Sequence, residues 1–219
     1  EISRVCASSG VIVSAHNSLC LSPIYYFGTE AQKEKYLPKL CTGQHIGAFG
    51  LTEPSAGSDS AGTKTTATKG GKGYIINGSK NFITNGAYAD VHVTLAVTDK
   101  NAPKNKNTSF FIIEKGDPGF SVGKVEDKLG ICASSTTEMI YEDCDIPEDR
   151  MLGAPGEGFK IAMHTLDGGR VGIAAQALGI AQAALEEAAK YANMREQFGA
   201  PIGRLQAIQW MIADMATEI

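Results

Sequence analysis

The sequence lacks the common short motifs for phosphate and metal binding. It contains neither a G-x-G-x-x-G fingerprint nor a Walker A loop, and it has no H-E-x-x-H pair and no G-x-S-x-G elbow. Its four histidines lie far apart in the chain, at His16, His45, His92 and His164. A hydrolase that works with protein side chains alone is therefore not indicated. If the protein is an enzyme, the difficult chemistry is expected to belong to a cofactor.

Positive charge is also scarce. The chain has 20 lysines and arginines against 24 aspartates and glutamates, a net charge of −4 and a pI near 5.6. No basic stripe offsets this deficit, which argues against nucleic acid as the main partner. A small anionic ligand is compatible with the composition, because backbone amides and one or two arginines can bind it locally.

Cysteine pairs and long apolar runs are missing as well. The five cysteines are scattered without a C-x-x-C pair, which favours reduced thiols in an intracellular protein over a zinc site or a disulfide framework. No apolar run approaches the length of a membrane span, and no signal peptide opens the sequence. Both ends have the pattern of a helix that is cut through, so we expect a fragment of a longer protein.

The hydrophobic patterns that are present divide the chain into three parts. Residues 1–46 have apolar positions at helical spacing, and residues 157–219 return to that period after a long interruption. Between them, residues 47–156 alternate β-branched and polar residues at the spacing of a sandwich or barrel. The predicted fold is a multidomain α+β chain: the end of a helical N-terminal domain, a central all-β domain, and the start of a C-terminal helical bundle.

Several local signals refine this prediction. Thr29 and Gln32 have capping-box spacing, and Gly43 lies where the helix that they begin is expected to stop, although Pro38 could end it earlier. The stretch GGKG at residues 70–73 and the pair Asn77-Gly78 are interpreted as turn signals. The long final helix is expected to be kinked near Gly168-Gly169, where two glycines weaken it.

Two stretches have the composition of a ligand-binding segment. In GLTEPSAGSD, residues 50–59, the small residues after the proline predict a compact turn whose free N–H groups can hold an anion, with Gly57 allowing close approach. The alternative is an ordinary tight turn closed by Asp59. In NFITNG, Phe82 could stack on a planar ring and Thr84 could bond to its edge, or both could be simple strand residues.

These stretches belong to a series of blocks that resembles the acyl-CoA dehydrogenase family. The blocks are AFGLTEPSAGSD, YIINGSKNFITNG, the run from KVEDKLGICASS to GEGFKIAM, TLDGGRVGIAAQALGIAQAAL, and MREQFGAPIGRLQAIQWMIADM. They follow one another in family order and at family spacing over nearly the whole chain. EISRVCASSGVIVSAHNSL and TLDGGRVGIAAQALGIAQ look most like the short-chain, butyryl-type members. The domain order of the family agrees with the order predicted from the patterns.

The resemblance implies an FAD site. The positions that match flavin contacts in the family are Phe49, Leu51, Thr52, Gly57, Ser58, Phe82, Ile83, Thr84, Arg195, Phe198 and Gln206. Among them, Gly57 and Ser58 are expected near the pyrophosphate, and Thr84 is expected to bond toward flavin N5. Phe82 stands where many members have tryptophan, so it keeps an aromatic face without the indole donor. The last three positions match residues that reach the FAD of a neighbouring subunit.

The resemblance also implies an acyl-CoA thioester as substrate, which is dehydrogenated between its α and β carbons. The positions that match substrate contacts are Ser58, Asp167, Gly168, Gly169, Arg170 and Gln176, the last at the bottom of the acyl pocket. In short-chain members the base is a glutamate in the final helices, expected here beyond Ile219, so no catalytic residue is assigned. Cys132 departs from the family, because relatives commonly carry arginine at that position.

The resemblance is compatible with several related functions. An acyl-CoA oxidase or a branched-chain acyl-CoA dehydrogenase would use the same fold, and a truncated, non-catalytic form that binds flavin or assists assembly is a reading of another class. For an active enzyme the resemblance implies electron-transferring flavoprotein as the electron acceptor and a homotetramer. The expected location is the mitochondrial matrix, with the bacterial cytoplasm as the alternative.

Overall fold

A computed structural model describes residues 1–219 and has six α-helices and ten strands. The helices are α1 (Ile2–Val5), α2 (Ala7–Ser14), α3 (Ser22–Phe27), α4 (Glu30–Cys41), α5 (Gly158–Met194) and α6 (Gln206–Glu218), with a π-helical segment at Ala15–Leu21. The strands are β1 (Gly47–Gly50), β2 (Thr66–Gly70), β3 (Gly73–Thr84), β4 (Val91–Val97), β5 (Thr108–Glu114), β6 (Phe120–Val125), β7 (Thr136–Pro147), β8 (Met151–Leu152), β9 (Glu196–Gln197) and β10 (Ala200–Pro201). The predicted order of helices, strands and helices is confirmed.

Helix α4 begins at the predicted cap and ends at Cys41, just before Gly43, which has a φ of +72°. The Thr29 hydroxyl accepts from the Gln32 N–H at 3.2 Å, while the Gln32 side chain accepts from the Thr29 N–H at 3.0 Å, so the capping box is present. The helix runs through Pro38 to Cys41, so the proline does not end it early. Because Pro38 lies in the last turn, it removes one hydrogen bond near an end that frays in any case.

Helix α5 is one unbroken helix of 37 residues, and Gly168-Gly169 does not end it. Gly169 allows the π-helical segment to approach, since a Cβ at this position would lie 2.8 Å from Leu19 Cδ2. Gly168 faces open space, where a Cβ would meet nothing within 4 Å. The two glycines therefore differ. Packing against Leu19 requires glycine at position 169, whereas no contact within the chain requires glycine at position 168.

The central sheet folds over on itself. Its strand order is β6-β7-β3-β2-β4-β5-β8, with β1 parallel to β4, and the outermost strands do not pair with each other. The Thr94 hydroxyl on β4 lies 2.8 Å from the Tyr141 hydroxyl on β7, which brings the two halves of the sheet face to face. The β domain is thus an open, sandwich-like sheet.

Strand β4 is buried on both faces and separates two cores. Val91, Val93 and Leu95 belong to a core that includes residues of the helices, such as Ile24 and Ile161. The opposite face is covered by the other half of the sheet. The helices therefore pack on one side of the β domain, and the cleft described below opens at that junction.

The interpretation of Asn77-Gly78 as a turn was wrong. Both residues lie inside β3, where the register to β7 shifts between Ile76 and Gly78, as at a β-bulge. Gly78 has a φ of +143° and its backbone lies against Thr65, so glycine is required by the bulge. The other predicted turn, at residues 70–73, is confirmed: it joins β2 to β3. No helix in the chain combines the length and apolarity needed to cross a membrane.

Candidate functional site

Three adjoining cavities form a cleft between α5, the π-helical segment and one end of the β domain. We call it the central cleft. Its parts have volumes of about 170, 290 and 500 Å³, and all three are lined by Leu166 on α5. The smallest part is bounded by the ends of β1 and β3, the largest by residues 57–61 and α5, and the third by the π-helical segment and α5.

Most residues that the sequence nominates for a flavin line this cleft. They are Phe49, Leu51, Thr52, Gly57, Ser58, Phe82, Ile83 and Thr84. They come from three separate segments of the β domain: β1 and its extension, the loop after it, and the end of β3. Of the residues nominated for the substrate, Ser58, Gly169 and Arg170 also line the cleft.

The loop at residues 57–61 presents unused hydrogen-bond donors. None of the five backbone N–H groups from Gly57 to Ala61 donates to an acceptor within the chain. Gly57 and Ser58 are exposed, and a Cβ at Gly57 would meet nothing within 4 Å. Consecutive free N–H groups around a concave surface favour an anion such as a phosphate. The geometry therefore supports the interpretation of this loop as a ligand-binding turn.

The alternative reading, a turn closed by the Asp59 side chain, does not describe this loop. Asp59 precedes a short 3-10 turn at Ser60–Gly62, and its side chain makes no capping hydrogen bond. Closure comes instead from Glu53, whose N–H donates to the Ala56 carbonyl at 2.9 Å and whose carbonyl accepts from the Ala56 N–H at 3.1 Å.

Glu53 and Lys80 form a buried ion pair beneath the loop. Lys80 Nζ donates to Glu53 Oε1 at 2.7 Å, and the two side chains are 0% and 4% exposed. The carboxylate also accepts from the N–H groups of Lys64 and Thr65 and from the Thr63 hydroxyl. Burial opposes the charge on Glu53, but Lys80 and these donors outweigh it, so the pKa of Glu53 falls to about 2. We expect the carboxylate to be ionised at neutral pH.

Phe82 presents its ring to the central cleft from an unusual backbone conformation. Its φ is +59°, in the left-handed region, and it lies where the register between β3 and β7 shifts a second time, between Lys80 and Ile83. Its ring is 63% exposed. A bulky residue held with positive φ is uncommon and is often found at functional sites. The bulge therefore turns the Phe82 ring toward the central cleft, which a regular strand would not do at this position.

The segment Asp167–Arg170 lies at the edge of the cleft. Asp167 and Arg170 form an exposed ion pair at 2.5 Å, which leaves both side chains accessible to a ligand. Gln176 lies two turns further along α5 and is buried, with its amide donating to the Ala7 carbonyl at 2.9 Å. In this chain Gln176 therefore ties α5 to the start of α2, whatever else it contacts.

Three of the nominated residues lie away from the central cleft. Arg195 follows α5, Phe198 lies between β9 and β10, and Gln206 begins α6. All three are exposed, and the Phe198 ring is 94% accessible. The chain itself does not bring them to the other site residues. Cys132 is also remote, in the exposed loop between β6 and β7, where its thiol donates to the Lys128 carbonyl.

Sequence reasoning missed several residues of the cleft. Ala15 and Leu19 of the π-helical segment and Met163 and Leu166 of α5 form its apolar walls. Their helical spacing was a usable signal for α5, because residues three to four apart share one face. The role of Lys80 had no local signal, since its partner is 27 positions away.

Comparisons with known proteins agree with this architecture. Residues 1–44, 48–144 and 156–219 match models of the N-terminal, middle and C-terminal domains of acyl-CoA dehydrogenase. The chain belongs to the acyl-CoA dehydrogenase family.

Among individual relatives, the chain is 57% identical over 219 residues to the short-chain specific acyl-CoA dehydrogenase of Clostridium acetobutylicum, covering 100% of this chain and 58% of that protein. It is 53% identical over 219 residues to the human mitochondrial short-chain specific acyl-CoA dehydrogenase, covering 100% of this chain and 53% of that protein. The chain therefore spans little more than half the length of these relatives.

Solved structures give the same picture. The butyryl-CoA dehydrogenase of Megasphaera elsdenii superposes with a TM-score of 0.97 at 52% identity, covering 100% of this chain and 57% of that one. A chain from a structure described as the electron transferring flavoprotein of Acidaminococcus fermentans has a TM-score of 0.97 at 57% identity, covering 99% of this chain and 57% of that one.

Proposed function

We propose that this chain is part of an FAD-dependent acyl-CoA dehydrogenase that converts short-chain, butyryl-like acyl-CoA thioesters to trans-2-enoyl-CoA. The observation that carries the proposal is the central cleft, where three separate segments of the β domain place the nominated flavin residues side by side. Family membership and the short-chain relatives support the same activity.

The residues of the cleft fit FAD in three respects. The free N–H groups of residues 57–61 suit the pyrophosphate, the exposed Phe82 ring suits a planar ring system, and Thr84 adds a hydroxyl at the ring edge. When bound, FAD would supply the hydride-accepting chemistry that no side chain of the chain offers. The apolar walls around Leu166 would exclude water from the reacting carbons.

The substrate is proposed to enter along α5. The cavity of about 290 Å³ between the π-helical segment and α5 is lined by Ala15, Leu19, Leu166 and Ile173, and its walls suit a short acyl chain. Ser58 and the exposed Asp167–Arg170 segment are proposed to meet the CoA portion, and Gln176 to lie beyond the end of the acyl chain. We assign no catalytic base within residues 1–219.

Replacing Phe82 with glycine tests the proposed flavin face. Glycine accepts positive φ without strain, so we expect the Tm of the flavin-free protein to stay the same or rise. We expect the Kd for FAD to increase by about twofold to tenfold, because an aromatic pair is worth about 0.5–1.5 kcal/mol beyond its burial. Ile131→Gly is the matched control, since Ile131 also has positive φ but lies in the loop before β7. An equal loss of FAD affinity in both variants would contradict the assignment.

Replacing Gly168 with alanine separates stability from substrate binding. No chain atom is near the added methyl group, so the helix should gain about 0.5–1 kcal/mol of stability. If CoA approaches the backbone here, the added methyl group costs about 1 kcal/mol and raises the KM for butyryl-CoA by about fivefold. Gly130→Ala, also in open space but in a remote loop, should leave KM unchanged. A stabilised Gly168 variant with an unchanged KM would show that CoA does not lie against this turn.

Partners and assembly follow from the same family relation. We propose a homotetramer in which Arg195, Phe198 and Gln206 reach the FAD of a neighbouring subunit, which agrees with their exposure and their distance from the cleft within one chain. Electron-transferring flavoprotein is the proposed electron acceptor, supported by the neighbour solved under that description.

The location and the domain boundaries are also proposals. We propose the mitochondrial matrix or, for a bacterial source, the cytoplasm; the supporting relatives come from mammalian mitochondria and from bacteria at similar identity. We propose domain boundaries at 1–46, 47–156 and 157–219, which fall in the segments that connect α4 to β1 and β8 to α5.

The activity is tested by turnover of the purified full-length protein with an artificial electron acceptor. Acetyl-, butyryl-, hexanoyl- and isobutyryl-CoA are compared at equal concentration, with formation of the enoyl-CoA product as the readout. The proposal predicts the highest kcat/KM for butyryl-CoA and no activity after removal of FAD. A preference for isobutyryl-CoA would favour a branched-chain enzyme, and fast turnover with oxygen alone would favour an oxidase.

A further inference from the structure

The buried pair Glu53–Lys80 makes contacts with each segment that forms the flavin side of the central cleft. Lys80 Nζ donates to Glu53 Oε1 at 2.7 Å, to the Thr63 hydroxyl at 2.9 Å and to the Leu51 carbonyl at 3.2 Å. The last of these contacts fixes the chain beside Thr52, where it borders the cleft. The ammonium group thus has three acceptors and needs no solvent.

Glu53 closes both ends of the loop that carries the free N–H groups. Its backbone exchanges two hydrogen bonds with Ala56, just before the loop. Its carboxylate accepts from the N–H groups of Lys64 and Thr65, just after the loop. One residue therefore holds the two points between which residues 57–61 are exposed.

Lys80 connects this loop to the second flavin segment. It lies on β3 two residues before Phe82, and the next residue, Asn81, donates its N–H to the Thr52 carbonyl at 2.8 Å. The bulge that turns the Phe82 ring outward lies between Lys80 and Ile83. The ion pair thus connects three segments: the loop 57–61, Leu51-Thr52, and the end of β3 that carries Phe82.

A buried ion pair is an inefficient way to gain stability. Removing two charges from water is costly, and apolar side chains of similar volume often stabilise a fold equally well or better. What the pair gives here is a defined distance between three segments that are apart in sequence. A displacement of about 1 Å in ligand-binding groups can lower activity by about 100-fold.

We propose that Glu53 and Lys80 are positioning residues for the cofactor: they do not touch FAD, and they set its affinity by fixing the loop 57–61 and Phe82 relative to each other. This inference rests on the proposed flavin site. It assigns a function to the glutamate of GLTEPSAGSD that is separate from catalysis.

The test is a matched pair of charge-neutral double variants in the full-length protein. Glu53→Gln/Lys80→Met removes both charges and keeps one acceptor, since the single amide oxygen of glutamine can replace one of the two carboxylate oxygens that accept from the N–H groups of Lys64 and Thr65. Asp117→Asn/Arg150→Met removes the largely buried Asp117–Arg150 pair, which is outside the cleft. For each variant, the Kd for FAD is measured by fluorescence quenching, the bound-flavin spectrum is recorded, and the Tm of the apoprotein is determined.

We expect the Glu53/Lys80 variant to raise the Kd for FAD by about tenfold to 100-fold and to shift the visible bands of bound flavin, with the control variant unchanged. An unchanged Kd and spectrum in a folded Glu53/Lys80 variant would overturn the inference. Equal losses in both variants would also overturn it, because they would indicate general softening. If the wild-type protein binds no FAD, the proposed function fails and the inference fails with it.

Discussion

Replacing Lys80 alone with methionine is expected to lower the free energy of unfolding by about 3–5 kcal/mol, because it leaves the Glu53 carboxylate buried without its counter-ion. Glu53 and Lys80 are almost completely inaccessible, so solvent cannot replace the lost contact. The Leu51 carbonyl and the Thr63 hydroxyl would also lose a donor. This is a larger penalty than that of most surface or single-methylene substitutions.

The double variant Glu53→Gln/Lys80→Met should recover part of this loss, because it removes both charges together but leaves one of the N–H groups of Lys64 and Thr65 without its acceptor. Urea unfolding of the wild type, the single variant and the double variant measures the difference directly. A Lys80→Met variant that is as stable as the wild type would show that the carboxylate is not buried as described. Surface variants of exposed pairs, such as Lys160→Met beside Glu157, should change stability by less than about 1 kcal/mol.

The charge on Glu53 also gives this pair a pH signature. The pKa of Glu53 is lowered from 4.5 to about 2, so the folded state holds the ionised form more strongly than the unfolded chain does. This contribution is complete above pH 4.5 and is lost as the pH falls toward 2. Glu53→Gln should therefore flatten the stability profile in that acid range and not near neutrality.

Replacing His92 with phenylalanine is expected to remove about 3 kcal/mol of acid sensitivity between pH 6.5 and pH 4. His92 is fully buried on β4, neither ring nitrogen has a hydrogen-bond partner within the chain, and its ring lies 4.6 Å from that of Phe120. Burial lowers the pKa of His92 to about 4. The ring is therefore neutral in the folded protein at every pH above that value.

The direction of this pH dependence follows from the pH at which His92 is protonated in the unfolded and in the folded state. The unfolded chain protonates this histidine near pH 6.5, while the folded protein resists protonation until about pH 4. Stability is therefore lost as the pH falls through this window. Phenylalanine cannot titrate, and its ring suits a position already packed against Phe120.

The measurement is urea unfolding at pH 7.0, 5.5 and 4.5. Wild type and His164→Phe, a variant of an exposed histidine on α5, should both lose stability across the series. His92→Phe should lose clearly less. If all three proteins have the same pH dependence, the acid-sensitive group is another residue.

His92 also shows what the sequence can and cannot predict. The alternation in VHVTLAV identifies strand β4, and it suggests that the histidine and threonine face water, as on a half-exposed sheet. In the structure the sheet folds over itself and covers this second face, so all seven residues are buried. The packing of β4 against the distant half of the sheet depends on contacts between residues far apart in sequence, such as Thr94 and Tyr141, which local periodicity does not encode.

The candidate site divides in the same way. The loop 50–59 and the end of β3 could be nominated because their small and aromatic residues are local features, but the residues alone left an ordinary turn and a simple strand as alternatives, and the resemblance of the two blocks to the family supplied the flavin assignment. The left-handed conformation of Phe82 depends on a bulge between two strands, and the Glu53–Lys80 pair joins residues far apart in sequence. The prediction for Asn77-Gly78 was wrong for the opposite reason. The local sequence is typical of a turn, but the long-range contact with Thr65 requires the glycine inside a strand.

The central claim is that the cleft holds a flavin that butyryl-CoA reduces. Anaerobic titration of the full-length protein with butyryl-CoA, with the flavin absorbance as readout, tests it most directly. We predict prompt bleaching at about one equivalent of butyryl-CoA per flavin, and slower or weaker bleaching with longer acyl chains. A protein that carries no flavin, or a bound flavin whose absorbance butyryl-CoA leaves unchanged, would contradict the account.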